Sequence, residues 1–445
     1  MNSLINIESG EGAMTELDLF SVPVTNTMIE NGTYVYYQPL APVDNADVIE
    51  FVIPGTDDYI DLSRTMLEIE GKMTLADGTV LTAATGAILP VNNFMHSLFK
   101  QVDVTLNDFQ VVKGSQTYPY KAYIEKLLNF DNSFKETALT TCLWYNDTAG
   151  YLNETDGSNA GKNKGALQRQ KHISLSASVQ MSDKLHVDIF NINKFLLNNI
   201  SVKIKLIRSL SNFYIMKGAG ADLEKDYIFK ITKANLKIRR VKVASSVQLA
   251  HNRVLTNLKT AKYPINYSEI KSFSAIQGSS SAAVDNVFLG AIPNRIIVGL
   301  VNANAMEGSF TENPFNFKHF DINFLSLYID GIAFPSRPYQ PDFEKNLFLP
   351  CYVDFLEGCN KFNNDKSNGI SRNSYVNGNC LFVFDLTPDL SGTSEHFNLI
   401  KQGSVRLEIK FAKALPSNVN ILIYGESEHL MLIDSNRTVV IDQTK

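Results

Sequence analysis

Two stretches decide the fold: QVDVTLND at 101–108 and INFLSLYIDG at 322–331. The first turns and runs to Tyr118-Pro119-Tyr120 and a helical pattern. The second turns at Asp330-Gly331 and runs to Arg337-Pro338-Tyr339-Gln340-Pro341 and a second helical region. Asp-Gly between apolar strands is a strong hairpin signal, because both central positions of a type I′ turn need a positive φ. Each half then continues with a polar loop and several final strands. The halves share little identity, but the order of their elements repeats at an offset near 220 residues. Two successive β-domains of about 200 residues, each with a helix at the same place, account for this order.

Working outward, the patterning is mostly of period two. Val202, Ile204 and Leu206 alternate with Lys203 and Lys205; Val405, Leu407, Ile409 and Phe411 alternate with Arg406, Glu408 and Lys410; Leu67 and Ile69 alternate with Glu68 and Glu70. One face of each such strand is buried and one is wet, which favours antiparallel sheets. VIEFVI (48–53), NRIIVGLV (294–301) and CLFVFDL (380–386) are apolar on both faces and belong between layers. In DYIFKITKANLKIRRVKV (226–243) the apolar register changes parity twice. This predicts bulges near Lys233–Asn235 and Arg239–Arg240.

Helices are few. YPYKAYIEKLLNF (118–130) has Pro119 in its first turn and an apolar stripe at Tyr120, Tyr123, Ile124, Leu127 and Leu128. A second helical pattern begins near Asp342. Pro350 is expected to interrupt it, leaving a short piece at 351–357 that ends before Gly358. The polar stretches 145–171 and 360–379 read as long surface loops, the usual place for partner contacts on a β scaffold.

The predicted fold class is therefore all-β, a double jelly roll: two tandem eight-stranded antiparallel β-sandwiches, each with a short helix, behind an acidic N-terminal extension. The boundaries read as 1–44 for the extension, 45–243 for the first roll and 244–445 for the second. A single barrel would leave the repeated order accidental.

Composition agrees. The 445 residues are 44% hydrophobic and 20% charged, enough for a large core and too apolar for global disorder. No apolar run reaches about 18 residues. Four cysteines do not make a disulfide scaffold. Net charge is −5, divided as −3 over residues 1–243 and −2 over the rest. The first 63 residues carry eleven acidic and no basic side chains, so this leader would repel DNA and lacks the positive start of a secretory signal. It reads as a solvated lead-in or as a segment that docks on a basic neighbour. Arg239, Arg240 and Lys242 form the sharpest basic cluster, but adjacent strand residues face opposite ways. They read as two solvated edges, not a nucleic-acid patch.

A search for chemistry yields no catalytic, cofactor-binding or metal-binding residues. Glu428-His429-Leu430-Met431-Leu432 lacks the second histidine of a zinc helix, and no GxSxG elbow occurs. Gly157–Asn163 is one residue short of a phosphate loop, with Asn163 where magnesium needs a hydroxyl. Gly218-Ala219-Gly220 lacks a third glycine, and Asn363, Asp365, Ser367 and Gly369 lack the glutamate of a calcium loop. Cys142, Cys351, Cys359 and Cys380 have no zinc spacing and read as buried thiols. The seven histidines are scattered, and His319, among aromatics, reads as a packed core imidazole. The sequons at Asn31, Asn146, Asn153, Asn199, Asn266 and Asn436 read as chance matches in an Asn-rich chain. About half of the aromatics in NPFNFKHFDINFLSLY (313–328) are assigned to a core and the others to an interface. The chain reads as an assembly protein, not an enzyme.

ELDLFSVPVTNTMIENGTYVYYQPL (16–40) resembles the N-terminal signature of the major capsid proteins of Polinton/Maverick elements and adintoviruses. IEFVIPGTDDYIDL (49–62) continues the likeness, and NPFNFKHFDINFLSLYIDG (313–331), PSRPYQPDFE (335–344) and LFVFDLTPDLSG (381–392) match the second half of the same family. The likeness is colinear over nearly the whole chain. It departs at Val24, where a second proline is expected after Pro23. The resemblance implies a major capsid protein with a double jelly roll, whose homotrimers are pseudo-hexameric capsomers that tile the icosahedral shell of a double-stranded DNA virus or virus-like mobile element of a eukaryote. It further implies neighbouring capsomers, a penton and minor capsid proteins as partners, and a place in the virion capsid shell. A maturation protease of adenoviral type accompanies some relatives, but here Glu8 stands before Ser9-Gly10-Glu11-Gly12 where an apolar residue is preferred. The acidic leader implies no direct, sequence-specific nucleic-acid binding. The alternatives are a domesticated host protein derived from such a capsid gene, separable by its neighbouring genes, and a β-sandwich enzyme or sugar-binding module. The scattered histidines and the lack of a secretory signal argue against that last reading.

Overall fold

The computed structural model describes residues 15–44, 46–82, 88–112, 114–158, 160–218, 225–288, 290–362, 364–392 and 396–442. Along the first half run β1 (Ile29–Tyr37), β2 (Val48–Ile53), β3 (Tyr59–Leu75), β4 (Ile88–Pro90), β5 (Phe99–Leu106), β6 (Phe109–Val112), β7 (Val179–Asp183), β8 (Val202–Arg208), β9 (Ile215–Lys217) and β10 (Tyr227–Val243). Along the second run β11 (Ala261–Ala275), β12 (Ser281–Val284), β13 (Arg295–Asn302), β14 (Ile322–Ile329), β15 (Ile332–Tyr339), β16 (Leu381–Asp385), β17 (Val405–Phe411), β18 (Val419–Ile433) and β19 (Val439–Asp442).

The first half pairs them as β1-β10-β3-β7 and β2-β8-β5-β6, the second as β11-β18-β13-β16 and β12-β17-β14-β15. Number the eight sandwich strands of each half in chain order, and both halves read 1-8-3-6 in one sheet and 2-7-4-5 in the other. Every pairing between these strands is antiparallel, so each half is a jelly roll and the chain is a double jelly roll. The echo seen in the sequence is thus an identity of topology. Each half also carries an addition: the β4–β9 ribbon in the first, and in the second β19, which pairs the C-terminal end of β18 (Leu430–Ile433) beyond the stretch that pairs with β13.

Local chemistry explains the strands. In β8, Val202, Ile204 and Leu206 are buried while Lys203 and Lys205 are exposed, and β17 behaves alike. β13 and β16 are buried almost throughout, as their unbroken apolar runs require. Asp330 and Gly331 take φ of 49° and 83° and pair Ile329 with Ile332, closing the β14–β15 hairpin. Against β3, the register of β10 shifts between Ile231 and Lys233 and between Lys237 and Arg239, each break about two residues before its expected place.

The four longer helices are α1 (Tyr118–Asn129), α2 (Lys164–Ile173), α3 (Ser245–Thr256) and α4 (Leu349–Gly358). α1 and α4 each lie between the fifth and sixth strand of their roll, as the repeated order predicts. α1 is more deeply enclosed than a single stripe implies, because Lys126 is buried along with the apolar face. Pro350 does not interrupt α4 but starts it: the first turn is where a missing N–H costs nothing. Residues 342–347 instead form a turn closed by reciprocal Asp342 and Leu347 backbone bonds of 3.0 and 2.9 Å. Gly358 ends α4 inside the helix; a Cβ there would come within 2.6 Å of Val383 on β16, so glycine lets helix and strand touch.

Three further expectations change. Ile29–Tyr37, read as part of the extension, is β1, paired with β10 from Ile29↔Val243 to Tyr37↔Leu236. Arg240 is not a solvated edge: it is 6% exposed and donates to Tyr37 Oη at 2.8 Å, Pro54 O at 2.8 Å and the Thr56 hydroxyl. Arg239 faces the other way and pairs with Asp61 at 2.9 Å. Lastly, 145–171 and 360–379 are not loops throughout. α2 begins in the first, with Ala166 and Arg169 buried, and the second contains the short helix Arg372–Val376 with Tyr375 fully buried.

Candidate functional site: the inter-roll seam, its crown and the exposed arm

The two rolls meet along a seam that no sheet crosses among the described residues. Its centre is the segment Asn313–Phe317, which precedes β14 and reaches onto α1 of the other roll. The Phe315 ring stacks on Tyr123 with centroids 4.2 Å apart and planes 2° apart. Tyr120 and Phe213 meet Phe315 edge-on at 5.7 and 6.1 Å. Such offset and edge-on contacts match the ring quadrupoles. Phe315 and Phe317 are fully buried, while Phe320, Phe324 and Tyr328 are partly exposed, close to the even division expected for this stretch.

Polar bonds flank the aromatic centre. Asp188 accepts from Lys121 of its own roll at 2.7 Å and from the Ser268 hydroxyl of the other at 2.8 Å. Arg437 donates to Asn198 O and Oδ1 at 2.9 and 2.7 Å, and Asn107 Nδ2 donates to Arg437 O at 2.9 Å. Tyr263 Oη donates to Phe195 O and accepts from Leu197 N, both at 3.1 Å. A seam so bonded orients the rolls as one rigid unit.

At one end the long loops join into a crown. Gly150 N donates to Asn377 O at 2.9 Å, and Lys135 Nζ donates to Asn368 O at 2.5 Å. The base of this crown is pinned by Arg169, whose guanidinium donates to Pro90 O at 2.8 Å, Tyr145 O at 2.5 Å and Asp147 Oδ1 at 2.6 Å. Gly157–Asn163 does precede a helix, yet Gly161 and Asn163 use their groups internally. Gly161 N bonds Ser158 O at 2.9 Å, and Asn163 Oδ1 caps α2 through Ala166 N at 3.3 Å.

At another face lies an open apolar groove of about 620 Å³ between the rolls, lined by Met28, Ile29, Phe195, Val243, Val247, Val254 and Tyr263. α3, which the sequence pattern did not reveal, forms one wall; only Leu255 of it is buried. Beside the groove runs the arm before β1. It is less polar than its charge implies: Leu17, Leu19, Phe20, Val22 and Val24 are 75–99% exposed. Five large apolar side chains facing water along eight residues mark a segment that lacks its partner.

The fold also gathers residues that sequence distance had separated. His96, Asp183 and His186 place three ligand atoms within 4.8 Å of one another. Lys126 contacts the same Asp183 carboxylate, so its ammonium already supplies the balancing charge. Burial pushes His96 down to about 3, keeping the imidazole neutral; Nδ1 faces Tyr118 Oη at 2.8 Å and Nε2 faces Asp183 at 3.0 Å. Burial works against the Asp183 charge, but Lys126 and His96 hold its carboxyl well below the usual range. No local pattern marks this cluster; a lysine within a buried helix is the only hint.

Other expected residues lie apart. The four cysteines are buried and free, as read. His319 is at the rim and not in the core: its side chain is 26% exposed, stacked on Phe343 at 4.2 Å, with Nδ1 accepting from Asp321 N at 3.0 Å. Glu428–Leu432 lies on β18, paired with β11. Residues 9–12, part of 218–220 and Asn363 are outside the described residues.

No protein-family model matches the chain. An uncharacterized Caenorhabditis elegans protein, F54H12.2, is 26% identical over 431 residues, spanning 95% of this chain and 99% of the relative. Among solved structures, a chain of the Sputnik virophage cryo-EM structure superposes with a TM-score of 0.64 at 11% identity, over 99% of this chain and 94% of that one. The mavirus major capsid protein gives 0.52 at 13% identity, over 99% and 97%. The faustovirus major capsid protein gives 0.54 at 10% identity, over 94% and 92%. The chain thus shares, from end to end, the double jelly-roll fold found in viral major capsid proteins.

Proposed function

We propose that the protein is a major capsid protein whose homotrimers tile the icosahedral shell of a double-stranded DNA virus or virus-like mobile element of a eukaryote, in the Polinton/Maverick and adintovirus group. The observation that carries this reading is the pair of jelly rolls with identical strand order, locked side by side by the Phe315 seam. Three such chains about a threefold axis present six similar rolls, an outline that packs hexagonally. Self-complementary contacts between copies then build a closed shell.

One feature supports a role in assembly. The apolar arm before β1 has no partner among the described residues of its own chain and docks on a neighbouring subunit. The rolls divide near Val243, with α3 as the connector. Loops of the crown meet neighbouring capsomers, and pentons and minor proteins complete the shell. The role is structural, not enzymatic, and its site is the virion.

The second reading, a domesticated host protein, is favoured by the full-length nematode relative. One experiment separates them. Purified full-length chain is examined by light scattering and negative-stain electron microscopy. Trimers and shell fragments are expected; a monomer at every concentration overturns the capsid reading.

A further inference from the structure

We propose that Lys126 and Asn93 become joined by an intramolecular isopeptide bond in the core of the first jelly roll, with Asp183 carrying the proton. The proposal rests on side-chain geometry and is independent of the capsid reading.

Lys126 on α1 and Asn93 after β4 are 1% and 0% exposed. Lys126 Nζ lies 2.9 Å from Asn93 Oδ1, the oxygen of the amide that it would attack. Nζ also contacts the carboxylate of Asp183 at the end of β7. The Asn93 Nδ2 group, which would leave, is buried with no hydrogen-bond partner. A buried amide NH₂ without a partner is an expense that its departure removes. Asn93 is held at φ 55° and ψ 44°, a left-handed backbone that asparagine tolerates and that aims its amide at the lysine. His96 is a positioning residue: its Nε2 meets Asp183 at 3.0 Å while Tyr118 Oη fixes Nδ1.

The chemistry balances within the cluster. The resting pair is an ammonium and a carboxylate. In this dry pocket a proton passes from Nζ to Asp183, giving a neutral amine and a carboxylic acid, a pair that burial favours relative to water. The amine lone pair attacks Asn93 Cγ, whose oxygen receives the developing negative charge. The C–Nδ2 bond then breaks, and the departing nitrogen takes a second proton from Nζ and leaves as ammonia. A secondary amide remains, Asp183 remains protonated, and no oxidant or cofactor is used. Lysine amines are established nucleophiles once neutral. The bond links positions 33 residues apart and ties the segment after β4 to α1.

The test is the intact mass of the folded full-length chain, followed by tryptic digestion and fragmentation. The expected result is a mass about 17 Da below that of the sequence, with one branched peptide joining the Asn93 and Lys126 segments. Lys126→Arg keeps a cation against Asp183 but cannot form the amide, and is expected to retain the full mass. Should that variant fail to fold, the wild-type digest decides alone. A folded wild-type chain of full sequence mass overturns the proposal. So does an ammonia loss that maps to Asn31-Gly32, Asn368-Gly369 or Asn377-Gly378, where succinimide formation gives the same mass change.

Discussion

Replacing Phe315 by alanine tests whether the seam couples the rolls. Phe315 belongs to the second half but is fully buried against Tyr120, Tyr123 and Phe213 of the first. Removing a buried phenylalanine ring costs about 3–5 kcal/mol, including the cavity it leaves. With a stacked partner at 4.2 Å and two edge-on partners, the upper half of that range is expected. A urea m-value near 3 kcal/mol/M, fitting for a chain this long, turns about 4 kcal/mol into a midpoint lowered by roughly 1.3 M. The probe is built in: Trp144, the single tryptophan, is buried in the first half with its ring 5.0 Å from Tyr123. Its fluorescence is followed against urea at fixed protein concentration, with far-UV circular dichroism in parallel. Phe324→Ala, at a partly exposed position on β14, serves as the control and should shift the midpoint far less. If Phe315→Ala leaves the Trp144 transition in place while circular dichroism reports a weakened second roll, the seam does not transmit stability and the reasoning fails.

Arg169→Ala should destabilise the chain by about 3–5 kcal/mol, because it strands the buried Asp147 carboxylate as well as two carbonyl acceptors. Thermal melts of Arg169→Ala, Asp147→Ala and the double variant check this, and the double should cost less than the sum of the singles. For pH, an unfolded chain protonates His96 below about 6.5 whereas the folded chain holds it neutral to about 3. The unfolded state therefore binds more protons in that window, and stability falls as pH falls, by about 1.6 kcal/mol from pH 6.5 to 5. His319 and His429 are also held below their usual value by burial and act in the same direction. Urea titrations across this range should show a flatter slope in His96→Gln. Deleting residues 1–27 should leave the fold intact and impair assembly, whereas deleting 1–40 removes β1, bares the β10 edge and takes Tyr37 from Arg240. Solubility and light scattering of the two truncations distinguish these outcomes; normal assembly without residues 1–27 removes any docking role for the arm.

Much of the architecture was readable without coordinates. A strand with one wet face must alternate, so Val202–Leu206 and Val405–Phe411 announced themselves. A type I′ turn needs positive φ, so Asp330-Gly331 marked its hairpin. The repeated order of strand, hairpin and helix predicted two like domains, and the pairing orders agree. Errors arose where long-range pairing overrode local character. Ile29–Tyr37 looked like extension because its partner strand lies some 200 residues downstream. Arg240 looked solvated because charge alone does not disclose the carbonyl and hydroxyls waiting across the sheet. Pro350 looked like a break because its effect depends on whether a helix starts or continues there.

Sequence by itself determined that this chain is all-β, doubled and without a recognisable catalytic motif, since period-two alternation, turn residues and motif spacing are properties of neighbours along the chain. Tertiary structure alone decided what lies against what: the Phe315 seam, the crown pinned by Arg169, and the meeting of Lys126, Asn93, Asp183 and His96 in one dry pocket. Those contacts join residues tens to hundreds of positions apart. Hydrophobic periodicity tells a residue which face to bury, whereas only the closed topology of the two rolls selects the partner it is buried against.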